Sequence, residues 1–227
     1  MQAKLIGGDI CLGWVWWIWL EKKTACLDEG SRGDCFFMEK ILIALLPIFG
    51  FAVMARADEL GVIETSKGTL VVEFWPDVAP KTVENFKKLA REGFYDGTLF
   101  HRIIKGFMAQ GGDPLTKLAG AEERWGTGGP GYRIDAEFND RKHERGVLSM
   151  ARSAYPNSAG SQFFLMFAAA PHLDGAYTGF GKVIKGDEVL SEIEKTRVTI
   201  SGSGERSKPL ERVEVKKIRI VPREEVE

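Results

Sequence analysis

Residues 61–75, GVIETSKGTLVVEFW, set two β-branched runs around Ser66-Lys67-Gly68, a pattern that predicts a β-hairpin. In DVAPKTVENFKKLAREG (77–93) the period lengthens. Val83, Phe86, Leu89 and Ala90 recur at helical spacing, Pro80 suits a first helical turn, and Gly93 is a natural stop. FHRIIKGFMAQGGD (100–113) returns to a period of two and reads as two short strands joined at Lys105-Gly106. Alternation puts Arg102 and Ile104 on one face, and His101 and Ile103 on the other. Past the bend at Phe107, Met108 and Gln110 share a face. An arginine therefore sits on an apolar surface with no carboxylate near it in sequence.

The remaining pattern is short and mostly extended. Residues 114–131 form a polar loop ending GTGGPG, and YRIDAEF, GVLSMA, SQFFLMF and TGFGKVI (from 132, 146, 161 and 178) are strand candidates. GDEVLSEIEKT (186–196) predicts a second helix, with Val189, Leu190 and Ile193 on one side. ERVEVKKIRIV alternates as a strand whose phase slips at Lys216-Lys217, as a bulge would make it do. Many short strands with two helices, not interleaved, predict a mainly β fold built on an antiparallel sheet or barrel.

The N-terminal region departs from this picture. All three cysteines and four of the six tryptophans fall within residues 1–37. From Met38, a lysine precedes an apolar run (Ile41 to Ala55) that closes on Ala55-Arg56-Ala57, the small-x-small pattern of an export signal. The run is about 15 residues, against roughly 20 for a membrane span, which favours a cleaved signal over an anchor. The reading is a misassigned or disordered extension at 1–37, a signal peptide at 38–57 cleaved after Ala57, and a mature domain at 58–227. Its alternative is a real extension whose segment 10–20 attaches to a membrane. The mature domain holds no cysteine, as suits an exported protein independent of disulfides. A net charge of −1 gives no reason to expect nucleic acid or an anionic membrane surface as partner.

Familiar catalytic signatures fail one by one. Gly126–Gly131 matches GxGxxG in form, but Pro130 and a strand-like stretch follow where a dinucleotide site needs a helix. His101, His143 and His172 are scattered without metal-ligand spacing, and Ser161 lacks the GxSxG elbow. No P-loop or carboxylate pair stands out. What remains is a site of arginine, amides and hydrophobes, with neither metal nor cofactor.

Those residues are similar to the cyclophilin family of peptidyl-prolyl cis–trans isomerases. FHRIIKGFMAQGGD resembles the family's signature strand pair. The GTGG loop (126–129), VLSMAR (147–152), SAGSQFFLMF (158–167) and HLDGAYTGFGKV (172–183) resemble its later blocks in order. The resemblance covers about residues 61–221 and implies a closed eight-stranded antiparallel β-barrel capped by two α-helices. It implies a catalytic group of Arg102, Phe107 and Gln110. Substrate would be held by Met108, Ala151, Arg152, Gln162, Phe164, His172, Leu173 and Tyr177.

The implied partners are proline-containing polypeptides, met by a monomer outside the cytoplasm, in the periplasm. A non-catalytic module that binds proline segments is the alternative. His172 stands where drug-sensitive members carry tryptophan, so the resemblance implies weak cyclosporin binding. Tyr177 replaces a histidine, Arg152 replaces an asparagine, and residues 114–125 resemble an insertion. Asp113 is read as a turn cap and His101 as structural. The partner of Arg102 is expected in the substrate, at a twisted prolyl amide.

Overall fold

A computed structural model of the chain describes residues 58–226, so the expected extension (1–37) and signal (38–57) lie outside the described residues. The first hairpin pairs β1 (Glu59–Thr65) with β2 (Gly68–Phe74). Its turn is held by Thr65, whose hydroxyl donates to the Gly68 carbonyl at 2.7 Å and accepts the Lys67 N–H. Helix α1 (Pro80–Arg91) follows and buries Val83, Phe86, Leu89 and Ala90, the residues at helical spacing. Ala79 cannot cap it. A remote carboxylate does so instead: Glu137 accepts from the backbone N–H groups of Lys81 and Thr82, and from the Thr82 hydroxyl.

The chain then runs through β3 (Thr98–Leu99), β4 (Arg102–Ile104), β5 (Met108–Gly111), β6 (Val147–Met150), β7 (Phe163–Met166) and β8 (Gly179–Lys185). Helix α2 (Asp187–Glu194) precedes a two-stranded unit of β9 (Val198–Ile200) and β10 (Arg206–Pro209), and β11 (Glu214–Pro222) returns beside β1. Nine strands form one antiparallel sheet in the order β3-β11-β1-β2-β8-β6-β7-β5-β4. At Gly181 the sheet curls tightly: a Cβ there would stand 2.4 Å from the Glu73 carbonyl oxygen, so no larger residue fits. The concave side holds the core. Phe86 sits at its centre, with the rings of Phe74, Tyr95, Phe163 and Phe180 at 5.0–5.8 Å.

Three expectations need correction. The sheet is a curled half-barrel of nine strands, not a closed barrel of eight. Its edge strands β3 and β4 belong to one extended segment that switches partners midway, Phe100 N–H donating to Val213 and His101 N–H to Gln110. The chain is continuous there, but no ladder joins the edges. Second, residues 132–138 are not a strand. Only Ile134 bridges, to Ala159, because Tyr132 and Glu137 are drawn aside to Asn85 and to the α1 N-terminus. Third, the β9–β10 unit lies where the sequence pattern predicts no strand. The expected bulge is present: Glu64 pairs with Lys217 and Thr65 with Val215, leaving Lys216 unpaired.

Candidate active site

Register builds the site. Arg102 on β4 lies opposite Gln110 on β5, Gln110 opposite Phe164 on β7, and Phe164 opposite Ser149 on β6. The next row on the same face contains Ile104, Met108 and Met166. Side chains of alternate residues turn the other way, so Ile103, Ala109, Leu165 and Leu148 enter the main core. The outer row carries a second apolar cluster instead, formed by Met108, Phe164, Met166 and Leu173, with Phe107 and Tyr177 packed on it.

A cavity of about 340 Å³ opens over this cluster. Ten of the eleven expected residues line it: Arg102, Phe107, Met108, Gln110, Ala151, Arg152, Phe164, His172, Leu173 and Tyr177. Gln162, the eleventh, stands behind Gln110 and accepts from its side-chain amide at 2.9 Å. The floor is apolar, and Arg102, Gln110 and Arg152 bring polar groups to the rim. Phe107 approaches the His172 ring at 5.8 Å, and Tyr177 meets the Phe164 ring nearly edge-on. Phe107 is also fixed through its backbone, because its carbonyl accepts from Phe167 N–H and the preceding Gly106 N–H donates to Glu194 on α2. Arg152 is fastened to the rim. Its guanidinium donates to the carbonyls of Ala176 and Ser153 and lies 4.6 Å over the Tyr177 ring.

One chain of hydrogen bonds crosses the site. Asp113 caps its turn through Leu115 N–H and also accepts from the N–H groups of Gly126 and Gly128. A Cβ on Gly128 would collide with Asp113 at 2.1 Å, so the glycine is required by close approach. The Gly128 carbonyl accepts from Gln162, Gln162 accepts from Gln110, and Gln110 accepts from Arg102 Nη1 at 3.3 Å. The GTGG loop thus supports the arginine through two amides, which can each donate and accept.

Arg102 also has a partner that its sequence neighbourhood does not contain. Glu205, just before β10, accepts from Nε at 2.6 Å and from Nη2 at 2.8 Å, a fork-on-fork pair. The expectation of a counter-ion supplied only by substrate is therefore wrong. Arg102 holds the Glu205 carboxyl below the ordinary carboxylate range, against a partial burial that pushes it up. Both side chains are more than a third exposed, so the pair adds little to stability. Its importance is geometric.

A serine–histidine–aspartate chain also occurs. His143 Nδ1 lies 3.2 Å from Asp174 and Nε2 lies 3.0 Å from Ser149 Oγ. Ser149 is fully buried and donates to the Thr178 carbonyl, so no substrate reaches it. The His143 ring stacks beneath Phe164 and supports the pocket floor. Burial lowers the affinity of His143 for a proton, with Asp174 opposing. Among the described residues no group of three or more His, Cys, Asp or Glu could hold a metal.

Comparison with known proteins agrees with this geometry. Residues 61–220 match the family model described as cyclophilin type peptidyl-prolyl cis-trans isomerase/CLD. The chain is 48% identical over 136 residues to a peptidyl-prolyl cis-trans isomerase of Synechococcus elongatus, covering 60% of this chain and 87% of that protein. It is 46% identical over 160 residues to an isomerase of Arabidopsis thaliana, covering 70% and 93%. Among solved structures, a Cryptosporidium parvum cyclophilin type isomerase, crystallised in the presence of the dipeptide Ala-Pro, aligns with a TM-score of 0.63 at 36% identity. That alignment covers 71% of this chain and 98% of the other. The matched span contains every residue of the site just described, and the chain belongs to the cyclophilin type peptidyl-prolyl cis-trans isomerase family.

Proposed function

We propose that the chain accelerates cis–trans isomerisation of X-Pro bonds in exported polypeptides as they fold outside the cytoplasm, in the periplasm. The single observation that carries the catalytic part is Arg102 Nη1, a fixed cationic donor at the edge of a cavity floored by an apolar cluster. Amide resonance sets a barrier of roughly 18–20 kcal/mol to rotation. At the twisted transition state that resonance is lost and the prolyl nitrogen regains a lone pair. A donor that meets this lone pair, or the reorienting carbonyl, binds the twisted amide better than either planar form. Each 1.4 kcal/mol of that preference gives about tenfold in rate.

The apolar floor strengthens the bond by lowering the local dielectric, and the network on Arg102 removes the need to reorganise during reaction. Phe107, Met108, Phe164 and Leu173 hold the proline ring, while Gln110 and Ala151 hold the flanking backbone. Nothing covalent forms. The Ala-Pro dipeptide used with the Cryptosporidium relative supports proline as the recognised residue. The export part rests on the signal-like run from Met38 to Ala57.

Incubating the chain with an X-Pro peptide and following its isomerisation tests the reading. Acceleration above the uncatalysed rate is expected. A chain that binds the peptide without acceleration would be a proline-binding module instead. His172, exposed at the pocket rim, offers a smaller and more polar ring than tryptophan, so cyclosporin is expected to inhibit weakly. Nanomolar inhibition would contradict that.

A further inference from the structure

Resting on the isomerase reading, we infer that Glu205 is a positioning residue for Arg102: it clamps the guanidinium so that Nη1 is held facing the prolyl amide. An arginine has five N–H donors on a stem with about 2 kcal/mol of rotamer entropy, so an unrestrained one presents its charge in many directions. Here Nε–H and one N–H of Nη2 donate to the two Glu205 oxygens. Nη1 donates to Gln110, and beyond that meets only the Met108 sulfur, at 4.0 Å. Sulfur is a weak acceptor. A prolyl nitrogen that gains a lone pair on twisting is a better one, and the same donor can exchange the first for the second without turning the guanidinium.

The clamp is itself built to stay in place. The Glu205 carbonyl accepts from both the N–H and the hydroxyl of Ser201, and Gly204 takes a φ of +82° to close the turn. β10 packs against β4, the strand that carries Arg102. The β9–β10 unit stands apart from the nine-stranded sheet, and delivering Glu205 gives it a role in the reaction. Gln110 restrains the guanidinium from one side and Glu205 from the other.

A double-mutant cycle in the full chain tests the assignment. Glu205→Ala is expected to lower kcat/KM by about fivefold or more, mainly through kcat, with Glu205→Gln in between because one oxygen is kept. In an Arg102→Ala background the same change should have almost no effect, since Glu205 acts only through the arginine. A structural role would not give that pattern. In wild type the Arg102 Nε–H resonance should be sharp and slow to exchange, and should broaden in Glu205→Gln. The acid limb of the kcat/KM profile, set by protonation of Glu205, should disappear in the same variant. Wild-type kcat/KM in folded Glu205→Ala, or an equal loss in both backgrounds, would overturn the inference. If the wild type does not isomerise at all, the isomerase reading fails, and the Nε–H signal alone then decides whether the clamp exists.

Discussion

The two faces of strands β4, β5 and β7 share one backbone ladder yet do different work. Turned inward, Ile103, Ala109 and Leu165 are fully buried among hydrophobes. One residue away, turned outward, Arg102 and Gln110 are half-exposed and hydrogen-bonded, with Phe164 beneath them. The inner row holds the sheet in its curl, and the outer row is aligned only because the inner one fixes the register. Stability and chemistry are thereby separated at single-residue resolution. The separation can be attacked from either side.

The largest effect is expected inside. Leu165→Ala removes a fully buried side chain at the middle of the ladder and should cost about 2–5 kcal/mol of unfolding free energy, read by denaturant titration. Activity per folded molecule should fall far less, because Leu165 faces away from the pocket. A loss of activity without loss of stability would break the comparison.

The smallest effect is expected from pH. Burial lowers the proton affinity of His101 and of His143 from the ordinary value of 6.5, so the unfolded chain takes up protons more readily than the folded one. Stability is therefore full above that value and declines as pH falls below it. Melting at pH 7.5 and at 5.5 should give the lower midpoint at 5.5. A higher midpoint there would show that Asp174 outweighs the burial of His143.

How much of this was legible in the sequence differed between the two faces. Alternation alone placed Arg102, Met108 and Gln110 together and turned Ile103 away, because a period of two is a local property of the strand. Family resemblance gathered Ala151, Gln162, Phe164 and Tyr177 from distant segments. Glu205 was invisible because its contact with Arg102 spans 103 residues, and SGSGERSKP resembles a solvated loop more than a strand unit. Conversely, YRIDAEF alternates well and is not a strand, since alternation does not supply a neighbour to pair with. The half-barrel in place of a closed one has the same root: whether two edges join depends on partner choice at Phe100–His101, which no local pattern encodes.

The most direct test sets neighbours against each other: Arg102→Ala and Ile103→Ala, each measured for melting midpoint and for kcat/KM on an X-Pro peptide. Arg102→Ala should lose at least about tenfold in kcat/KM, equivalent to about 1.4 kcal/mol of transition-state stabilisation, and keep a midpoint close to wild type. Ile103→Ala should lower the midpoint clearly and leave the kcat/KM of the folded fraction nearly unchanged. An Arg102→Ala chain as active as wild type would contradict the account.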